Sequence, residues 1–293
     1  MKISHPLDSN TKRLGDGTKR RFIIPSVVTV AIIIVYIPVL VWLFQSWLNN
    51  PYYGHGFLIP LVSGTIIWLR RASFRFGKPS LLGIIVLGVG LLIYVLSFVW
   101  NYYFISAISL LVVIFGTIIY LCGKERAEVF LFSILFLIFM IPLPFVDTLS
   151  YYLQGMATYS SAGVVHLFGI DVITVGNQID LPGASFTIGT ACSGMSSLIS
   201  LLTIAAILIF LVNGSPLKKS IILLSALPIS ILANTFRIAI LLLVAYNLGT
   251  EVAMNYFHVI SSPFVYLLSI VLLIVLTKIL GCRIRTLTEL SNG

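Results

Sequence analysis

The stretch "TIGTACSGMSSLISLLTIAAILIFLV", Thr187 to Val212, joins a turn-like segment to a long uncharged apolar run. An apolar run of about 20 residues is typical of a transmembrane helix. Runs of this kind recur along the 293-residue chain, which is 59% hydrophobic and only 9% charged. A soluble domain of this length has no use for so much apolar surface. The sequence therefore predicts an integral membrane protein.

The apolar runs predict an all-α polytopic membrane protein with about eight transmembrane helices. The expected helices cover 22–45, 56–70, 81–99, 103–122, 128–142, 192–212, 220–247 and 258–280. Two of them, 56–70 and 128–142, are short for a membrane span. We expect a single integral membrane domain over 22–285, between a basic tail (1–21) and a short tail (286–293).

The basic residues indicate how the chain crosses the membrane. Seventeen of the 18 Lys and Arg residues lie in the terminal segments or in alternate loops, and the intervening loops have none. Because cytoplasmic loops are enriched in Lys and Arg, we predict that both termini are cytoplasmic and that 143–191 is an extracytoplasmic cap. The net charge of +9 is thereby explained without nucleic acid, which we do not expect as a partner.

The cap has two parts in the sequence. Its first half places Leu149, Tyr152, Leu153 and Met156 at helical spacing, which predicts a helix at the membrane interface. Its second half, "DVITVGNQIDLPGASFTIG", alternates β-branched residues with Gly-Asn and Pro-Gly turn signals. This pattern predicts a small β hairpin or three-stranded piece just before the sixth helix.

Three reactive side chains of the C-terminal half lie at one predicted depth. Cys192 is 20 residues from the end of its apolar run, Arg237 is 17 residues after Ser220, and His258 is 20 residues before Lys278. At 1.5 Å per helical residue, these separations correspond to roughly 26–30 Å above the cytoplasmic face. We therefore expect the three residues to meet near the outer interface.

Their chemistry favours covalent catalysis. A thiolate is a usable nucleophile when a cation or a helix N-terminus stabilises it, and we expect both for Cys192. His258 can act as general base or acid, whereas Arg237 stays protonated and acts electrostatically. Ser193 and Gly194 allow close approach of a backbone whose free N–H groups could bind an oxyanion.

Each residue alone also has a structural interpretation. A lone membrane cysteine is usually a small buried hydrophobe, and we assign Cys122 and Cys282 to that class. An arginine inside a span is a functional-site hypothesis by default, but Arg237 could instead hold helices together or reach the interface. His258 alone would suit a helix cap, and Asn234 could orient the arginine. The functional prediction rests on the coincidence of the three reactive residues.

At these residues the sequence resembles the exosortase/archaeosortase family of membrane transpeptidases. The matching pieces are "ACSGM" (Ala191–Met195), "NTFRI" (Asn234–Ile238), His258 in "YFHVISSPF" and "YYGHGFLIP" (Tyr52–Pro60). They occur in the family's order, and the resemblance covers about residues 40–275.

The resemblance implies a cysteine nucleophile, a catalytic arginine and a third polar residue, here Cys192, Arg237 and His258. It implies as partners exported proteins with a C-terminal sorting signal, namely a short motif, a transmembrane helix and a basic tail. Cys192 would form a thioester after the motif, and an amine or a lipid head group would release the protein in a newly anchored form. The location implied is the cell membrane, with the active site on the extracytoplasmic side.

Four further residues are predicted to contact the substrate: Ser193, Gly194, Asn234 and His55. His55 could line the substrate path, or it could belong to an aromatic interface belt with Tyr52. The three cysteines have no CxxC spacing and no other ligand cluster stands out, so neither a metal nor a cofactor is expected.

Two other functions fit the same residues. An intramembrane cysteine protease would hydrolyse the same thioester instead of transferring it. A lipid-binding or transport protein would use Arg237 for an anionic head group and leave Cys192 inert. Few charges within the helices and no visible internal repeat make a transporter the weaker alternative.

Overall fold

The computed structural model describes residues 10–73, 77 and 80–292, and most of them are helical. Residues 1–9 of the predicted basic tail, together with Arg75, Lys78 and Gly293, lie outside the described residues. The helices are α1 Asn10–Asn49, α2 Leu58–Leu69, α3 Leu81–Val99, α4 Tyr103–Cys122, α5 Lys124–Phe136, α6 Val146–His166, α7 Met195–Leu211, α8 Pro216–Leu248, α9 Thr250–Val252, α10 His258–Ile279 and α11 Leu287–Asn292.

Six helical segments in the described part of the chain are long and apolar enough to cross a membrane. They are Ser26–Asn49, Leu81–Val99, Tyr103–Cys122, Thr190–Leu211, Pro216–Leu248 and Thr250–Ile279. The polytopic helical membrane protein is thus confirmed, but the count of eight spans is not. The other two expected spans are the shorter apolar helix Gly54–Leu69 and the 13-residue α5, which begins with the charged residues Lys124, Glu125 and Arg126.

The chain divides into two compact units. One contains the chain up to Gln45 together with Arg70–Leu135, and the other contains Ser46–Leu69 and the chain from Phe136 onward. The first unit therefore holds most of α1 with α3 to α5, and the second holds α2 and α6 to α11.

In the first unit, α3 and α4 pack closely because glycines face the neighbouring helix. A Cβ atom at Gly116 would lie 2.6 Å from the backbone nitrogen of Leu87, and one at Gly90 would lie 2.7 Å from Val113 Cγ2. Small residues at such contacts let transmembrane helices approach each other's backbones.

Buried hydroxyl groups connect three helices of this unit. Tyr36 of α1 and Ser109 of α4 are 2.9 Å apart, and Ser97 of α3 lies 2.8 Å from Ser106 of α4. Ser109 Oγ also donates to the Ser106 carbonyl at 2.7 Å. We refer to these four residues as the hydroxyl network.

In the second unit, α7, α8 and α10 form a helical core, and α6 packs along α8. The predicted helix in the cap is present as α6. Leu153 is buried, whereas Tyr152 and Met156 are largely exposed. The side of α6 that is buried carries mostly small and polar residues, among them Ser150, Gln154, Ala157, Thr158, Ser161 and Ala162. Apolar side chains at helical spacing do not mark the buried face when the exposed face of a helix is also apolar.

The predicted β region forms a three-stranded antiparallel sheet. Its strands are β1 Ile173–Val175, β2 Gln178–Leu181 and β3 Ala184–Thr187, in that spatial order. Ile179 and Phe186 are buried in the same apolar cluster as Ile238 and Leu242 of α8. The sheet is therefore fixed to α8 at the point where the chain turns from β3 toward α7. A two-stranded ladder joins β4 Val212–Asn213 to β5 Arg283–Ile284.

Candidate active site

Cys192 lies on a 3-10 turn, Thr190–Cys192, between β3 and α7. The amide of Cys192 donates to the Gly189 carbonyl at 2.9 Å, and the Ser193 amide donates to the Thr190 carbonyl at 3.3 Å. The α-helix begins at Met195, later than the expected start at Cys192. The turn uses both amides internally, so the prediction that Cys192 itself opens the helix is wrong in detail.

Ser193 and Gly194 shape this turn. Ser193 is 4% exposed, and its hydroxyl donates to the Thr190 carbonyl at 2.8 Å while accepting from the Met195 amide at 3.2 Å. Gly194 caps α7 with a φ of 80°, a conformation that favours glycine. A Cβ atom there would also lie 3.0 Å from the side chain of Asn234. Both residues have a demonstrable role in holding the turn.

Asn234 connects the turn to α8. Its Nδ2 group donates to the Cys192 carbonyl at 2.9 Å, and the side chain is only 6% exposed. Asn234 lies one helical turn before Arg237 on the same helix. The residue therefore fixes the backbone of the cysteine relative to the arginine.

His258 brings the cysteine and the arginine together. Its Nε2 atom lies 3.5 Å from Cys192 Sγ and 3.3 Å from an Arg237 Nη atom. His258 begins α10 directly after a π-helical segment, Ala253–Phe257. Such π-helical turns inside α-helices are frequent at functional sites. The three residues expected at one depth are thus in contact.

Arg237 is 8% exposed and lies deep in the helical core. Its Nε group donates to Ser261 Oγ at 3.5 Å, and Ser261 in turn donates to the His258 carbonyl at 3.3 Å. Within the part of the chain that the structure describes, no carboxylate forms an ion pair with this guanidinium. A buried cation without a counter-ion is suited to an anion that forms only transiently.

Ser261 is the contact that sequence reasoning missed. A signal for it was present, because Ser261 follows His258 by three residues and therefore lies on the same helix face.

The contact between Arg237 and His258 indicates which ring nitrogen of His258 carries the proton. A guanidinium can only donate hydrogen bonds, so His258 Nε2 is the acceptor and the ring proton lies on Nδ1. The same Nε2 atom lies 3.5 Å from the Cys192 sulfur, so the thiol and the guanidinium compete for its one lone pair. Nε2 is therefore placed to accept the thiol proton.

A comparison of the chain with models of protein families gives a match. The family model described as "Transmembrane exosortase" matches residues 47–275. The chain belongs to the transmembrane exosortase family. No curated protein and no solved structure matches it. Membership supports a transpeptidase-like role in protein sorting in general terms.

In this exosortase, an apolar groove of about 440 Å³ lies between α8 and α10, beside the reactive residues. Arg237 and Ser261 are polar residues in its lining, which is otherwise formed by side chains such as Phe236, Ile240 and Phe264. The groove is suited to a hydrocarbon chain with a polar end near Arg237.

The structure does not bring His55 to the cysteine. His55 lies on the 3-10 turn Gly54–Phe57, and its Nε2 atom is 3.5 Å from Thr203 Oγ1 on α7. Thr203 is eight residues after Met195, which is about 12 Å along the helix axis. A substrate contact by His55 stays a prediction.

The segment that carries His55 is held by hydrogen bonds to its neighbours. Ser196 Oγ donates to the Pro51 carbonyl at 3.2 Å, and the Leu143 amide donates to the Tyr53 hydroxyl at 2.9 Å.

Among the described residues, no three His, Cys, Asp or Glu side chains are grouped as metal ligands would be.

Proposed function

We propose that this exosortase is a membrane-embedded cysteine transpeptidase that cleaves the C-terminal sorting signal of exported proteins through a thioester on Cys192. The observation that carries the proposal is the position of His258 Nε2, 3.5 Å from the Cys192 sulfur and 3.3 Å from the Arg237 guanidinium. A nucleophile and a cation that both contact one base form a set suited to acyl transfer.

In the first step, His258 Nε2 takes the thiol proton and Cys192 Sγ attacks the carbonyl carbon of the scissile bond. The carbonyl oxygen becomes an oxyanion as the sulfur–carbon bond forms. Collapse of this intermediate breaks the carbon–nitrogen bond, and the departing amine takes the proton from His258. The upstream part of the substrate is then held as a thioester.

Arg237 acts at the moment when charge develops. Once Nε2 carries a proton, it can no longer accept a hydrogen bond from the guanidinium. The N–H groups of Arg237 are then released to stabilise the thiolate or the oxyanion, and such charge-assisted bonds are stronger than neutral ones. Arg237 is therefore a stabiliser whose hydrogen bond changes as the proton moves. Asn234, Ser193 and Gly194 hold the turn in the attacking position.

In the second step, an acceptor amine attacks the thioester carbonyl, His258 takes its proton, and the thiolate leaves. The apolar groove beside Arg237 supports a membrane lipid as the acceptor, because a hydrocarbon chain in the groove would bring its head group to the site. Attack by water instead of an amine would make the enzyme a hydrolase.

The proposed location is the cell membrane, with both termini in the cytoplasm and the active site on the extracytoplasmic side. The distribution of Lys and Arg supports this orientation. A substrate would then present its scissile segment where its own transmembrane helix leaves the bilayer. The partners are exported proteins that carry a motif, a transmembrane helix and a basic tail.

The decisive experiment is thioester trapping. The enzyme is co-expressed with a tagged exported protein from the same host that ends in such a sorting signal. Wild-type enzyme is compared with Cys192→Ala and Cys192→Ser, and with Cys122→Ala and Cys282→Ala as matched controls. We expect processing and a hydroxylamine-sensitive adduct in wild type and both controls, and neither in the Cys192 variants.

Normal processing by the Cys192 variants would overturn the proposal and would make Cys192 a packing residue. The mass of the product separates the two chemical outcomes: an added lipid or amine indicates transfer, whereas a free carboxylate indicates hydrolysis.

A further inference from the structure

Among the residues that the structure describes, none pairs with the outer edge of strand β3, which we call its free edge. The sheet has the order β1-β2-β3, so β3 pairs with β2 on one side only. The Ile188 amide donates to the Asn177 carbonyl at 2.8 Å, which fixes the alternation of the antiparallel ladder. Phe186 therefore directs its backbone groups toward β2, whereas Ser185 and Thr187 direct their N–H and C=O groups outward.

This edge is open to a partner. Ser185 and Thr187 are exposed, while Phe186 between them is buried. The strand contains neither proline nor a charged residue, which are common devices that protect sheet edges. Gln178 Nε2 donates to Ser185 Oγ at 3.0 Å and so keeps that side chain on the face of the sheet.

The edge leads directly to the nucleophile. After Thr187 the chain continues through buried Ile188 and extended Gly189 to the turn that carries Cys192. The three residues from Thr187 to Thr190 span at most about 10 Å. Cys192 packs against the same apolar cluster that contains Phe186 and Ile188. The edge and the thiol therefore belong to one packed piece of structure.

We propose that the free edge of β3 binds the extended sorting segment of the substrate as an added parallel strand, with the scissile bond following it at Cys192. The inference rests on the proposed function, because it names how the substrate of that same site is held. Added strands gain affinity from main-chain hydrogen bonds and specificity from alternate side chains.

The parallel direction follows from the order of elements. This chain runs from β3 through the Cys192 turn into the membrane-crossing helix α7. A sorting signal has the same order, with an extended motif, a scissile bond and then a transmembrane helix. A substrate strand parallel to β3 therefore places its upstream residues on the edge and its helix alongside α7. An antiparallel strand would place on the edge the residues that must enter the membrane.

The sheet provides a matched pair of threonines for a test. Thr187→Pro removes an outward N–H group and leaves the ladder with β2 intact, because proline is tolerated on edge strands. Thr174→Pro makes the same change on the outer edge of β1. Thr174 pairs with Ile179, and the backbone groups of Ile179 face β3, so those of Thr174 point away from β2. The two edges are about 10 Å apart across the sheet.

We expect Thr187→Pro to lower kcat/KM for the tagged substrate by about tenfold or more, mainly by raising KM. A change of this size is expected when one hydrogen bond is lost and the proline ring obstructs the edge. Thr174→Pro should stay within about twofold of wild type. The rate at which a small alkylating reagent modifies Cys192 should be the same in both variants, which shows that the turn is intact. Equal processing by both proline variants would overturn the proposal while leaving the proposed function in place.

Cross-linking tests the inference without requiring cleavage. In enzyme carrying Cys192→Ala, a photo-cross-linking residue replaces Ser185, Thr187 or Thr174 in turn. We expect Thr187 to mark substrate residues about three positions upstream of the scissile bond, Ser185 to mark residues about two positions further upstream, and Thr174 to mark none.

Four results would overturn the proposal: the reverse order along the substrate, marks downstream of the scissile bond, a cross-link only to a second copy of the enzyme, or no cross-link from Thr187. If the expected cross-links form but the wild-type enzyme does not cleave the substrate, the proposed function alone is overturned.

Discussion

Two buried polar clusters differ in how well their hydrogen bonds are satisfied. The hydroxyl network of Tyr36, Ser97, Ser106 and Ser109 is neutral. Its members contact one another at 2.7–2.9 Å, and Ser97 and Ser106 also donate to backbone carbonyls at 3.1 and 3.2 Å. In the active site, the contacts of the arginine with His258 and Ser261 are 3.3 and 3.5 Å. His258 lies 3.5 Å from the cysteine, which is an ordinary distance for the larger sulfur atom.

The difference follows from the chemistry of the groups. A hydroxyl both donates and accepts, so these four bond to one another and to nearby backbone carbonyls. A guanidinium offers five donors, and the described residues supply it with two side-chain acceptors, His258 Nε2 and Ser261 Oγ. One cluster is closed and stabilises the helices. The other leaves donors for a group that arrives with the substrate, and catalytic hydrogen bonds are often long before that group binds.

The largest effect is expected from loss of the base. His258→Gln keeps a polar side chain but cannot take the thiol proton, so turnover should fall by about 10²–10⁴-fold. The measurement is the rate of substrate processing in membranes. His166→Gln is the matched control, because His166 is an exposed histidine at the end of α6, and it should keep the wild-type rate. A fully active His258→Gln enzyme would remove the histidine from the mechanism.

Replacing the arginine separates charge from geometry. Arg237→Lys keeps the positive charge but loses the planar set of donors that contacts both His258 and Ser261. We expect the rate of single-turnover cleavage to fall by roughly 10–100-fold in Arg237→Lys and by more in Arg237→Gln. If lysine restores the full rate, the charge alone is sufficient and the geometry of the guanidinium is irrelevant.

Loss of the bond that holds the cysteine turn should have a smaller effect. Asn234→Ala removes the hydrogen bond to the Cys192 carbonyl, and we expect kcat to fall by about tenfold with KM little changed. The rate of Cys192 alkylation should change as well, which a purely structural role elsewhere would not cause. Asn247→Ala is the control on the same helix, since exposed Asn247 bonds only to the Leu243 carbonyl among the described residues, and neither readout should move.

The smallest effect on activity belongs to the closed cluster. Tyr36→Phe removes the hydroxyl that meets Ser109, so unfolding in detergent should cost about 1 kcal/mol less. Processing of the substrate should stay at the wild-type rate. A loss of activity without a loss of stability would show that the hydroxyl network is not merely structural, and the contrast between the two clusters would fail.

Some features of the site could not be read from the chain. The 3-10 turn at Cys192 and the bond from Asn234 depend on how α8 packs against the turn, and no local pattern encodes that packing. The buried side of α6 likewise cannot be recognised from its apolar residues, because its exposed face is apolar and its buried face carries serines and threonines. Hydrophobic periodicity identifies a buried face only where the surroundings are water.

Composition and spacing along the chain were enough to predict the membrane class, the order of the elements, the family and a common depth for Cys192, Arg237 and His258. Depth along a helix is proportional to residue number, so spacing is enough to give it. The folded structure is needed to see that these side chains face one another, that Ser261 and Asn234 hold them, and that β3 has a free edge beside them. Rotation about a helix axis and the pairing of strands are set by packing between distant segments, and packing is a property of the whole fold.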